Sequence, residues 1–370
     1  MLHAFPELLR TVAAFVVVLG VLVFVHEFGH YLAARLCGVH VEVFSIGFGK
    51  TITEWTDSIG TKWKLSWLPL GGYVKLHGQE RPQDVADDVR ASWIPGKTFH
   101  DKPVASRAIV VAAGPVANFL LAAVLFAALF MAVGRPVTQP VIGDVLPDGA
   151  AARAGLLAED RIEAIGGQST PTFEDIQRIV VAHPAETLSL TILREGKRLE
   201  LPVLTGSREV KGRTLGLLGI RGGKVDYVPA GPIESIVGGV TQTWKVTSDT
   251  FTGIAQMLNG SRGTEELGGP LRIAQLSGEV AQLGVTSLIS FIAVLSVNLG
   301  LINLFPIPVL DGGHLVFYLF EAIRGRPLPP KAQEYGFRAG IAVLATLFLF
   351  ATWNDLKNIG LFHWVAGLIG

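Results

Sequence analysis

Four stretches of this chain are almost free of charge, and they constrain its fold more than any other feature. Leu8 to Val25, Ala108 to Val133 and Val285 to Phe305 are each long enough to cross a bilayer, which takes roughly 20 apolar residues. Gly340 to Trp353 is shorter. Extended back to Phe337, with Arg338 snorkelling toward the interface, it crosses a thin region of membrane. Hydrocarbon offers no water to backbone N–H and C=O groups, so each run must satisfy them internally, as a helix does. Composition agrees: 49% of the 370 residues are hydrophobic and 17% are charged. The lipid bilayer is therefore an expected partner. Formal net charge is zero, so there is no basic field to attract nucleic acid. A single cysteine, Cys37, excludes an internal disulfide framework and reads as a small packing residue. The first run reads as a retained span rather than a cleaved signal, because its basic start is Arg10 alone and no small-x-small site follows.

Positive charge marks the cytoplasmic side of a membrane protein. Ten Lys/Arg lie from Arg35 to Arg107, and Arg324, Arg326, Lys331 and Arg338 lie between the third and fourth spans. Both connections are expected inside. The long second connection, about Gly134 to Gly284, and both termini are expected outside.

Within the run LVFVHEFGHYLAARL, which starts at Leu22, stand His26, Glu27 and His30. A charge at the centre of a span costs at least about 2.5 kcal/mol and persists only with a partner or a task. On a helix, residues i and i+4 share a face, so both imidazoles can hold one metal ion. Glu27 follows the first imidazole and points off the ligand axis while staying close, which suits a base rather than a ligand. That is the logic of the H-E-x-x-H signature. The bland alternative is a polar cluster that ties helices together. A catalytic zinc takes three protein ligands and leaves an open position. The run NLGLINLFPIPVLDGGHLVF, from Asn298, offers the third. Pro306 and Pro308 interrupt the third span, and Gly312 and Gly313 permit close backbone approach. Asp311 is the favoured ligand, since two imidazoles with a carboxylate form an attested zinc set. His314, one turn further on, is its rival as ligand or outer-shell donor.

Between the first two spans, VEVFSIGFGKTI and TKWKLSWLPLGGYVKLHG alternate and are rich in β-branched and aromatic residues. They predict a β-hairpin or small sheet over Val41 to Leu76, split at TDSIG. Trp55, Trp63, Trp67 and Tyr73 suit a membrane interface. Ala86 to Lys102 is polar and reads as a mobile loop. In the outer segment, VIGDVLPDGAAARAGL, DRIEAIGG, an amphipathic helix from Phe173 to Val181 and two strands joined at Glu195–Gly196 look like a bacterial PDZ domain. TLGLLGIRGG, from Thr214, resembles its edge strand and peptide-end loop. Gly231 to Gly284 reads as helical.

Three motifs in order, HEFGH, GPVANFLLA from Gly114 and NLFPIPVLDGG from Asn303, resemble the site-2 protease family of intramembrane zinc metalloproteases, most closely its bacterial RseP-like branch. The resemblance covers nearly the whole chain. It implies a zinc ion (Zn2+) held by His26, His30 and Asp311, with Glu27 as catalytic base. It assigns substrate binding to Asn303, with Pro306 and Pro308 of the same motif; capping of the broken helix is the alternative for Asn303. It also implies a multi-pass protein of the bacterial inner membrane performing regulated intramembrane proteolysis in a stress response. Its partners would be single-pass membrane proteins: anti-sigma-factor-like substrates after a first external cut, and remnant signal peptides. One PDZ pattern is present, where RseP carries two.

The fold expected is thus a polytopic α-helical membrane protein with four transmembrane helices, a membrane-associated β-hairpin and an inserted α+β PDZ domain. The expected order is a first span with HEFGH over 1–37, the inner β-rich segment over 38–104 and a second span over 105–134. A periplasmic PDZ domain (138–223) and a periplasmic helical segment (224–284) follow. A third span, broken at Pro306 and Pro308, with its loop takes 285–335, and the fourth span and tail take 336–370. Two rival readings are a membrane PDZ scaffold without catalysis and a metal transporter. Intact His26, Glu27, His30 and Asp311 argue against the first. Clustering of the polar groups on the inner side argues against the second.

Overall fold

The computed structural model describes residues 4–80, 85–210, 213–261, 263 and 268–358. The chain divides into two units, Met1–Leu129 with Ile236–Gly370, and Phe130–Ser235.

The first unit begins with helix α1 (Ala4–Leu36), followed by strands β1 (Val41–Thr56) and β2 (Lys62–Leu76), the short helix α2 (Asp87–Ala91) and the long helix α3 (Val104–Val133). The two strands bend into more than a simple hairpin. Residues 41–46 pair with 72–76 on one side and with 62–65 on the other, and 62–66 pairs onward with 51–56. The segment 72–76 is thereby left on an edge. Asp57 closes the turn, its Oδ1 accepting from the N–H groups of Ile59 and Thr61 and its Oδ2 from Trp63 Nε1. Phe44, Val41, Tyr31 and Val110 are buried together, so the sheet is seated on α1 and α3. The segment expected as a mobile loop after Ala86 is instead tied down. Ile94 N–H donates to His77 Nε2 at 2.8 Å, Phe99 N–H to the His77 carbonyl and His40 N–H to the Lys97 carbonyl. Polar composition alone did not reveal these partners across the hairpin.

The second unit holds strands β3 (Arg135–Thr138) and β4 (Ile142–Val145), helix α4 (Ala150–Arg153), strands β5 (Arg161–Ile165) and β6 (Gln168–Ser169), and helix α5 (Phe173–Ala182). Strands β7 (Thr187–Arg194), β8 (Lys197–Leu204), β9 (Gly206–Val210), β10 (Arg213–Leu217), β11 (Ile220–Gly222) and β12 (Val225–Val228) follow. Its main sheet has the order β6-β5-β7-β8, and β4–β11, β9–β10 and β3–β12 form pairs. Helix α5 starts on a capping box between Thr172 and Asp175 and buries Phe173, Ile176, Ile179 and Val180. These meet Ile142, Ile162, Leu190, Ile192 and Val203 in one core. Glu195 and Gly196 both take positive φ in the β7–β8 turn, as a two-residue hairpin of the type I′ class requires. The β3–β12 pair carries this unit beyond the expected 138–223, and residues 225–228, expected within a helical segment, form a strand because β3 offers a partner.

The first unit resumes with α6 (Pro232–Leu258), α7 (Pro270–Gln282), α8 (Val285–Leu304), α9 (Asp311–Arg324) and α10 (Pro330–Asn358). Among the described residues four helices, α1, α3, α8 and α10, are long and apolar enough to cross a membrane. Leu120, Val124, Phe348 and Leu349 remain uncovered by protein, as lipid-facing residues do. Small residues set the close crossings: Gly29 of α1 faces the Ala113 carbonyl and Ala117 of α3, and Gly300 of α8 lies by the Pro115 carbonyl of α3. Helix α6, expected to stand outside with the rest of 224–284, lies along the spans. Its Gly239 meets Ala123 and Ala127 of α3, and Thr250 Oγ1 donates to Asn298 Oδ1 of α8 at 3.0 Å. Buried Asp355 of α10 accepts from the N–H groups of Gly269, Leu271 and Arg272, capping α7 from another helix.

Candidate metal centre

Helix α1 places His26 and His30 one turn apart. The third donor arrives through a tight reversal. Helix α8 stops at Leu304, and Pro306 and Pro308 prevent its continuation. Val309 adopts φ 105°, a conformation that a β-branched residue avoids unless its surroundings enforce it. Gly312 lies against the Leu304 and Phe305 carbonyls, and Gly313 against Ile307 and Pro308. A Cβ at either glycine would meet backbone, so the reversal closes only with glycine there. It sets Asp311 at the first turn of α9, facing α1.

The three donors converge. Asp311 Oδ2 lies 3.2 Å from His26 Nε2 and 3.5 Å from His30 Nε2, and the two Nε2 atoms are 3.3 Å apart. Ligands about 2.0–2.1 Å from a tetrahedral zinc stand roughly 3.3 Å from one another, so the spacing fits that ion. Among the described residues these three form the one group of His, Cys, Asp or Glu able to share a metal. Asp311 Oδ2 is buried without a hydrogen-bond partner, which a cation would supply. His30 Nδ1 donates to the Val110 carbonyl at 2.8 Å. That bond puts the proton on Nδ1 and leaves Nε2 free to ligate.

The other candidate residues divide. Glu27, Asn303 and His314 line the same cavity as the three donors, a space of about 780 Å³ that also exposes Gly72, Tyr73 and Val74 of the β2 edge. The Glu27 side chain abuts Gly72, where a Cβ would come within 3.0 Å of its Cγ. His314 does not join the donors; its ring packs with Phe317 and Phe337. Asn303 Nδ2 donates to the Leu299 carbonyl of its own helix at 3.1 Å. Pro306 and Pro308 are not among the cavity-lining residues. Pro308 instead meets α10, where its carbonyl lies against Gly340. Two residues of α3 escaped the residue-by-residue reading. Gly114 forms the floor beneath both imidazoles, and fully buried Asn118 brings its amide within 3.1 Å of His26 Nδ1. The motif GPVAN flagged their neighbourhood without indicating which atoms they face.

Two imidazoles and a carboxylate spaced to share one ion, with a second carboxylate lining the same cavity, are the donor set and neighbouring base that a metallohydrolase uses. The comparisons with known proteins agree. The model of peptidase family M50 matches residues 14–347. A protein of Agrobacterium fabrum, named as a candidate zinc metalloprotease, is 43% identical over 361 residues, covering 94% of this chain and 96% of its own. Metalloprotease MmpA of Caulobacter vibrioides is 35% identical, with 95% and 96% covered. Zinc metalloprotease RasP of Geobacillus kaustophilus is 32% identical, with 95% and 99% covered. This chain belongs to peptidase family M50 and zinc is its metal; the spacing of His26, His30 and Asp311 fits that ion.

Proposed function

We propose that this protein is an intramembrane zinc endopeptidase that cuts single-pass membrane proteins within or beside their transmembrane helix. The observation that carries the reading is the convergence of His26, His30 and Asp311 at zinc spacing in a cavity shared with Glu27. Zinc, when bound, supplies Lewis-acid activation of water and of the scissile carbonyl. Glu27 takes the proton released in the attack and delivers it to the leaving amine, so the new N–H forms as the C–N bond breaks. A transmembrane substrate hides its peptide bonds in helical hydrogen bonds and has to unwind first. The 72–76 edge of β2, exposed in the cavity, offers the unwound strand backbone partners. Asn303, on the cavity wall, can exchange its bond to Leu299 for one to the same peptide.

The substrates are anti-sigma-factor-like proteins already trimmed outside and remnant signal peptides, and the setting is the bacterial inner membrane. Phe130–Ser235 acts as a PDZ domain on the periplasmic side. The support for this part is the likeness of its sequence to that domain and an edge strand, β11, whose described partner is β4 alone.

The test is cleavage of a tagged transmembrane substrate by purified protein, with zinc measured in wild type and Glu27→Gln. The variant should keep its zinc and lose roughly 100-fold or more in rate. Zinc bound in both with no cleavage of a range of substrates would sink the protease reading. It would favour a scaffold or transporter.

A further inference from the structure

We infer that Asn118 is the positioning residue that commits His26 to the metal, its amide oxygen accepting the proton on Nδ1 and leaving Nε2 to ligate. The inference rests on the zinc reading above and extends it to a residue outside the ligand set. Each imidazole that ligates through Nε2 must carry its proton on Nδ1, and that N–H needs an acceptor. His30 has one in the Val110 carbonyl. For His26, the group that faces Nδ1 among the described residues is the Asn118 side chain, on α3.

The amide stands with Nδ2 at 3.1 Å from His26 Nδ1, and its Oδ1 is buried without a partner. In that orientation the amide donates, the imidazole proton goes to Nε2, and the nitrogen facing Asp311 cannot bind a cation. Turning the amide about its last bond exchanges its oxygen and nitrogen with no change of shape. Oδ1 then accepts from Nδ1–H, and Nε2 turns its lone pair toward the other donors.

The surroundings hold Asn118 in place. It is 0% exposed. Its backbone carbonyl accepts from Ser296 Oγ at 2.8 Å, which fixes α8 against this turn of α3. A methyl group placed on Gly300 would stand 3.4 Å from the Asn118 Cβ, so α8 packs closely against it. Asn118 therefore has little freedom beyond the amide turn.

The experiment compares full-length wild type, Asn118→Leu and Asn118→Asp in detergent. Zinc affinity is measured by competition with a colorimetric chelator, and the visible spectrum is recorded after cobalt replaces zinc. Leucine keeps approximate size and removes the acceptor, so affinity should fall about 10–100-fold, the usual cost of an outer-shell partner. Aspartate keeps an acceptor, so the affinity should stay within about threefold of wild type and the cobalt bands unchanged. A purely structural Asn118 predicts the reverse order, because aspartate buries a charge. An unchanged affinity in the leucine variant overturns the inference, as does an aspartate variant that falls tenfold or more. If the leucine variant does not fold, the aspartate arm decides alone. Wild type without zinc would instead remove the metal reading itself, before Asn118 is judged.

Discussion

Gly114 serves the centre by lacking a side chain. A Cβ there would overlap His30 Nε2 and stand 2.9 Å from His26 Cε1, a separation real contacts avoid. Gly114→Ala should therefore push both imidazoles off their shared point and lower zinc affinity at least about tenfold, on the scale of lost outer-shell support. Chelator competition measures it, with circular dichroism to show that the helices persist. An unchanged affinity would mean that α1 and α3 can separate at this crossing without cost. At this scale the sequence was legible where chemistry names itself. His26, Glu27, His30 and Asp311 are ionisable groups in apolar surroundings, and their spacing carries the geometry. Gly114 and Asn118 depend on where α3 crosses α1, which no local pattern in GPVAN expresses. Asn303 was given a substrate role from resemblance, while its amide bonds the carbonyl of Leu299.

Among the elements, α9 has to be held at both ends for Asp311 to stay aimed. Its start is fixed by the reversal through Pro306 to Gly313. Further along, Glu321 makes two hydrogen bonds to Arg107 of α3, at 2.7 and 3.2 Å, with both side chains only 14% exposed. Arg107 also lies 5.0 Å over the Tyr318 ring. At such burial the attraction barely repays desolvation, whereas removing one partner strands the other. Arg107→Leu should thus destabilise the protein by about 3–5 kcal/mol, and adding Glu321→Leu should restore most of the loss. Melting in detergent, read as a double-mutant cycle, decides; a single variant costing under about 1 kcal/mol would mark an ordinary solvated pair. The break itself was legible, since two prolines and two glycines leave a helix few alternatives. The Arg107–Glu321 pair was not, because it joins residues 214 positions apart in sequence. Helix α6 was read as lying outside because it belongs to the long second connection, which the distribution of Lys and Arg assigns to that side. Its small and hydroxyl residues instead suit contact with other helices, as Gly239 and Thr250 show.

For the whole molecule, the distribution of charge governs which side of the membrane each connection faces. Ten Lys/Arg from Arg35 to Arg107 flank the first two spans, and charge in short connections sets orientation more strongly than charge in long domains. The first connection should then be cytoplasmic and Phe130–Ser235 periplasmic, with His26 and His30 in the inner half of the first span. Single cysteines test this in a Cys37→Ala background. Ser207 and Lys97 are both exposed and lie in different connections. A membrane-impermeant maleimide applied to cells with a permeabilised outer membrane should label the Ser207→Cys variant. The Lys97→Cys variant should react only after lysis. The converse pattern would reverse the orientation and turn the metal centre toward the periplasm. An external cut could then no longer be separated from the intramembrane one by the bilayer. The sidedness of two surface residues therefore bears directly on whether a substrate trimmed outside can be the one cut within.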